Sequence, residues 1–167
     1  MIDESKFKLL GSGAEFKAQL FAMLQGSDFF GDFPPAEIET LTKYAQAYSV
    51  GAGTVIFDEG ERGGFMCLVI EGSAEIFKQD NKYGNKRVGT IESGKTVGEM
   101  ALVDGEQRSA TCICPQASRL VMLTREQFVR IIREHPALSV NILLKLLTMM
   151  SRRLRQTSGQ LVDHLQN

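Results

Sequence analysis

From about Tyr48 to Leu123 the sequence repeats one unit, a short run rich in β-branched and aliphatic side chains followed by a glycine turn. The runs are Thr54–Phe57, Met66–Ile70, Ala74–Phe77, Arg87–Ile91, Ser109–Cys114 and Arg119–Leu123, punctuated by Gly51, Gly53, Gly60, Gly63, Gly64, Gly72, Gly84 and Gly94. Short strands at intervals of roughly 8–12 residues indicate a sandwich, a barrel or a jelly roll. Glycine supplies 16 of the 167 residues, about 10% against a usual ~7%, as a fold with many tight turns requires. A chain of this length holds a single core.

Helical periodicity flanks the strand region on both sides. The first 46 residues read as helix, with Phe16, Leu20, Met23 and Leu24 on one face and a break at Gly26-Ser27-Asp28. Pro34-Pro35 opens a second helix that turns Ile38, Leu41, Tyr44 and Ala45 inward, proline being tolerated in a first turn. After the strands, Thr124 and Gln127 have the spacing of a capping box, with Phe128, Ile131 and Ile132 facing inward. Pro136 ends that helix. A long helix follows from Ala137 to Leu165, in which Leu143, Leu147, Met150, Leu154, Thr157 or Ser158, Leu161 and Leu165 alternate spacings of three and four. That is the pattern of a heptad seam, so the helix either packs on its own domain or pairs with a second copy. The expected organisation is a helical segment over 1–27, a roll over 28–135 and a dimer helix over 136–167.

Composition excludes several function classes. Lys and Arg total 19 against 20 Asp and Glu, a net charge of −1, which gives no electrostatic footprint for a polyanion. No apolar run reaches the roughly 20 residues of a membrane helix, and the N-terminus lacks the order of a signal peptide. Cys67, Cys112 and Cys114 form no Cys-x-x-Cys pair, and His135 and His164 have no ligand-like spacing to them. The expectation is a cytoplasmic protein with reduced thiols, no metal and no cofactor. No nucleophile elbow or P-loop is present in the sequence, so a non-enzyme is expected.

The stretch from Val97 to Thr111 carries the chemistry. Gly98-Glu99-Met100-Ala101-Leu102 reads as a glycine opening one short helical turn, whose first amides point outward and favour an anion. Arg108 follows where the next strand begins. A phosphodiester needs one positive charge, and a forked arginine contact contributes about 1.5–3 kcal/mol net. A ribose hydroxyl needs an acceptor, and an ionised Glu99 is an acceptor only. Carboxylate, guanidinium and helix-start amides in one pocket therefore suit a ribose joined to a singly charged cyclic phosphate.

This string resembles the phosphate-binding cassette of the cyclic-nucleotide-binding domain family, and within it the bacterial cyclic-AMP receptor branch. The family pattern, Gly-Glu-x-Ala-Leu and then Arg-(Ser/Thr/Ala)-Ala-Thr, stands here as Gly98-Glu99-Met100-Ala101-Leu102 and Arg108-Ser109-Ala110-Thr111. Gly53, Ile56, Gly60, Met66, Ile70 and Gly72 match the upstream frame, and the resemblance covers roughly residues 28–165. It implies a mainly β jelly roll (a double-stranded β-helix) with N-terminal helices and a long C-terminal dimerisation helix. It also implies Glu99 on the ribose 2′-hydroxyl and Arg108 on the cyclic phosphate, with Met100, Ala101 and Ser109 completing the phosphate shell and Val97, Gly98 and Ala110 lining the same pocket. Thr157 and Ser158 would meet the base, one hydroxyl from each subunit of a homodimer. Val97 departs from a common aromatic, Cys67 from a frequent tyrosine, and Cys112 and Cys114 from small or aliphatic residues. The bacterial regulators resembled follow their long helix with a DNA-binding helix-turn-helix, whereas this sequence ends at Asn167. A chain without its own DNA contact, acting on an unknown effector protein, is therefore expected. Cyclic AMP is the expected ligand. Cyclic GMP, a cyclic dinucleotide or haem in the same fold stays open.

Overall fold

The computed structural model describes residues 5–80 and 84–165, with side chains described over 5–79 and 84–159. Along the chain run β1 (Lys8–Leu9), α1 (Gly13–Gln25), α2 (Pro35–Leu41), β2 (Gln46–Val50), β3 (Thr54–Phe57), β4 (Phe65–Glu71) and β5 (Ser73–Asp80). They continue as β6 (Gly84–Glu92), β7 (Thr96–Val97), α3 (Glu99–Asp104), β8 (Thr111–Cys114), β9 (Ser118–Thr124), α4 (Arg125–Glu134) and α5 (Pro136–Leu165). The described strands pair antiparallel in two sheets, one ordered β1-β2-β9-β4-β7 and the other β3-β8-β5-β6.

Where length predicts a single core, strand alternation sorts the side chains of β4 and β9 between two clusters, one on each face of the first sheet. Met66, Leu68, Val121 and Leu123 join α1, α2, α4 and α5 in one cluster, with Leu20, Leu24, Ile38, Leu41, Ile131 and Ile142. Their alternate neighbours Cys67, Val69, Leu120 and Met122 face the second sheet and share one cluster with its Ile56, Phe57, Ala74, Cys112 and Cys114. The first sheet is thus covered on both faces, which is why Met66–Ile70 reads as an unbroken apolar run. The second sheet has one buried face, and β6 is exposed along nearly its whole length.

Thr124 caps α4 by accepting a hydrogen bond from the Gln127 amide at 3.2 Å. The Gln127 side chain does not close the predicted box, because its carbonyl accepts from Arg130 instead, at 3.3 Å. Phe128 and Ile131 are buried, whereas Ile132, expected inside, is largely exposed. The N-terminal region is less helical than expected, since β1 precedes α1 and β2 begins at Gln46.

Helix α5 has one seated face and one bare one. Leu138, Ile142 and Leu146 are fully buried, while Val140, Leu144, Leu147 and Leu154 are 52%, 56%, 65% and 69% exposed. The bare stripe shares Leu143, Leu147 and Leu154 with the predicted seam but also takes in Val140 and Leu144, and Met150 is half-buried. The difference arises because the domain side of the helix claims the Ile142–Leu146–Met149 line. Leu161, Leu165 and the imidazole of His164 lie outside the described side chains. No helix among the described residues is long and apolar enough to cross a membrane.

Candidate functional site

Gly98 ends β7 with φ +79°, and α3 starts at the next residue. A side chain there would be excluded twice, by the left-handed backbone and by crowding. A Cβ on Gly98 would lie 2.6 Å from the Arg108 guanidinium and 3.2 Å from the Phe65 carbonyl. Across the turn, a Cβ on Gly63 would lie 2.0 Å from that of Ala101, so glycine lets α3 pack flat against the 61–64 segment. These approaches fix a six-residue helix that is too short to persist on its own.

Arg108 is 5% exposed. Its guanidinium donates to the carbonyls of Gly98 (2.9 Å) and Phe65 (2.7 Å), and it lies 4.0 Å from the Phe57 ring centre and 4.6 Å from that of Phe65. Two rings and two carbonyls orient the charge without neutralising it, and burial pushes its pKa down from the ordinary arginine value. Among the described residues no carboxylate forms an ion pair with Arg108. Glu61 and Glu99 favour the charged form only from a distance, and a buried cation without a directly paired anion is costly, so the site is electrostatically suited to an anion.

Glu99, 2% exposed, stands at the start of α3. One carboxylate oxygen pairs with Arg153 of α5, whose guanidinium also donates to the Thr96 carbonyl at 3.3 Å. The other oxygen, Oε2, is buried with no hydrogen-bond partner. Burial raises the Glu99 pKa, and the Arg153 charge opposes that rise. Both charged groups line one cavity of about 240 Å³.

The cyclic nucleotide-binding domain family matches residues 47–135, more than half of the sequence. The chain belongs to that family. It is 28% identical over 138 residues to the cyclic AMP receptor protein of Thermus thermophilus, covering 83% of this chain and 62% of that protein. It is 26% identical over 121 residues to the cAMP-dependent protein kinase regulatory subunit of Blastocladiella emersonii, covering 72% of this chain and 30% of that protein. The chain therefore spans less than two thirds of the length of either relative. A crystal structure of a cyclic nucleotide-binding domain from Methylobacillus flagellatus superposes with a TM-score of 0.81 at 23% identity, covering 95% of this chain and 89% of that one. The Thermus thermophilus catabolite activator protein superposes with a TM-score of 0.71 at 27% identity, covering 81% of this chain and 62% of that one.

Within this cyclic nucleotide-binding domain, Val97, Gly98, Glu99, Met100, Ala101, Arg108, Ser109 and Ala110 all line the one cavity. Thr157 and Ser158 do not; both are exposed on α5 beyond it. The lining also holds Phe57, Ile76 and Ile91 from the second sheet, the acidic Asp104 and Glu106, and Arg153. Arg153 went unassigned from sequence, although a signal was there. It continues the Ile142–Leu146–Met149 line by one more helical step, so it falls on the face that α5 turns to the roll.

The three thiols lie in the apolar core behind the cavity. Burial pushes Cys112 up to about 12, with Cys114 adding to the rise. It also raises Cys67 and Cys114. Such thiols stay protonated and unreactive.

Proposed function

We propose that this chain is a cyclic-nucleotide sensor, with cyclic AMP as its preferred ligand, which reports occupancy through α5 as a cytoplasmic homodimer. Residues 28–135 are the binding unit, 1–27 its helical lead-in and 136–167 the dimer helix. The observation that carries this reading is the pairing of two buried, incompletely matched charges in one cavity. Arg108 forms no ion pair among the described residues, and one carboxylate oxygen of Glu99 has no hydrogen-bond partner.

In this reading the cyclic phosphate supplies the charge that Arg108 lacks, and Ser109 and the amides opening α3 complete its shell. The ribose 2′-hydroxyl donates to Glu99 Oε2, satisfying an acceptor that is otherwise orphaned. The other oxygen keeps Arg153, so the sugar and α5 share one carboxylate. Ile76 and Ile91 offer the base an apolar wall. Thr157 lies four residues beyond Arg153, hence on the pocket side of α5, and Ser158 lies four beyond Leu154, hence on the bare stripe. In a parallel pair of helices along that stripe, Thr157 serves its own pocket and Ser158 the partner's. The role is binding rather than catalysis, and the signal passes to an effector protein.

Calorimetric titration with cyclic AMP and cyclic GMP tests the reading. Saturable binding with cyclic AMP preferred is expected, together with a rise in melting temperature. Stabilisation should reach about 2.7 kcal/mol when ligand is one hundred times its Kd. No binding of either nucleotide at millimolar concentration sinks it.

A further inference from the structure

Tyr44 lies between α2 and β2 and is 6% exposed. Its hydroxyl donates to Glu134, the last residue of α4. The other Glu134 oxygen accepts from Arg130 at 3.2 Å, and the Arg130 guanidinium lies 5.4 Å from the Tyr44 ring centre. The His135 ring meets the same phenol edge-on at 5.8 Å. These groups converge where the chain leaves α4 through His135, with φ −139° and ψ 65°, and begins α5 at Pro136.

That elbow is the root of the helix that delivers Arg153 to Glu99. Arg153 stands about 25 Å along α5 from Pro136, at ~1.5 Å per residue. A tilt of about 5° at the root would move it by roughly 2 Å over that length, enough to break its pairing. The rest of the seat guides α5 less firmly. Leu138, Ile142 and Leu146 make apolar contacts, which are non-directional and tolerate sliding. Asn141 with Glu37 and Lys145 with Asp32 are exposed pairs, which hold little. The Tyr44 contact differs by its place, a buried ring whose hydroxyl bonds a half-exposed Glu134 carboxylate at the elbow itself.

We infer that Tyr44 is a positioning residue for the nucleotide pocket, fixing the α4–α5 elbow and thereby the place where Arg153 meets Glu99. This rests on the reading of the cavity as a cyclic-nucleotide site. Tyr44→Phe removes the hydroxyl alone. It should weaken cyclic AMP binding by about three- to tenfold, the range expected for one net hydrogen bond. In the Arg153→Gln background the same change should cost nothing further, because the group it positions is gone. A merely structural Tyr44 would lower the melting temperature equally in both backgrounds and leave affinity untouched.

The inference is overturned if Tyr44→Phe binds cyclic AMP as the unaltered protein does, or if its loss is the same with and without Arg153. If that variant does not fold, Glu134→Ala stands in for it under the same two criteria. If the unaltered full chain binds no cyclic nucleotide, the proposed function fails. Amide hydrogen exchange over residues 150–158 without ligand then decides the elbow by itself. Faster exchange in Tyr44→Phe supports the positioning role, and unchanged exchange rejects it.

Discussion

The cavity has two halves built in opposite ways. On the roll side, Arg108 and Glu99 are buried, held by backbone contacts at Gly98 and Gly63, and ready before any ligand arrives. On the α5 side, Arg153 alone among the described groups reaches in, and the helix beyond it is exposed, with a bare apolar stripe. The difference separates two tasks that a sensor must perform. Affinity comes from charges fixed within the roll, where little is reorganised on binding. Signalling needs a part whose position still depends on the ligand, and in the proposed function α5 takes that role.

Removing the fixed charge is the strongest way to break this division. Arg108→Met should lower affinity for cyclic AMP by at least about a hundredfold, the scale of a buried charge left unpaired. The ligand-free melting temperature should hold or rise, because an apolar side chain replaces a desolvated cation. Calorimetry and melting curves on the same samples check both, and near-normal affinity would remove Arg108 from the site.

Glu99→Gln should cost about tenfold, less than Arg108→Met because a neutral acceptor remains. Titration with 2′-deoxy cyclic AMP should show little difference between the two proteins. Glu99 also sets a pH signature. Its folded pKa lies above the ordinary 4.5 because of burial, so the folded state takes up its proton at higher pH than the unfolded chain does. As pH falls from that raised value toward 4.5, this group adds stability to the ligand-free protein. Affinity falls over the same window, because a protonated Glu99 is a poorer acceptor for the ribose. Glu99→Gln should flatten both trends, measured by melting and binding across pH.

The moving half is tested at the stripe. Leu147→Glu places like charges opposite each other in any paired α5 and should shift the protein from dimer to monomer in analytical ultracentrifugation. Affinity should fall by only about three- to fivefold if Arg108 and Glu99 carry most of it. A hundredfold loss would mean that the roll does not hold the ligand by itself. Smallest of all, Lys145→Ala breaks an exposed pair with Asp32, and the melting temperature should change by less than about 2 °C.

Sequence reasoning reached the two halves unequally for the same physical reason. The cassette is local. Gly98, Glu99 and Arg108 lie within one short segment, and the chemistry of each is visible in its type and spacing. The strand positions from β3 on follow from alternation and glycine, except β7, where two residues are too few for periodicity to register; β1 and β2 fall outside the predicted runs, β1 being just as short and β2 lying at the edge of the segment read as helix. Helix α5 is different, since many of its apolar positions satisfy a spacing of three and four. Which line is buried depends on the cluster that holds Phe30, Ile38 and Leu41 with Ile142 and Leu146, and that is a tertiary fact. Hence the bare stripe is partly shifted from the predicted seam, and Arg153 carries no role in the sequence reading.

The cysteines have a practical consequence. Cys67 sits in one sheet and Cys112 and Cys114 in the other, all sealed in the roll and all held in the protonated form. A thiol-reactive dye can modify them only when the two sheets part, so the labelling rate counts excursions of the barrel itself. The unaltered sequence thus carries its own stopwatch for breathing, and a bound nucleotide that clamps the roll should slow it without any tag being introduced.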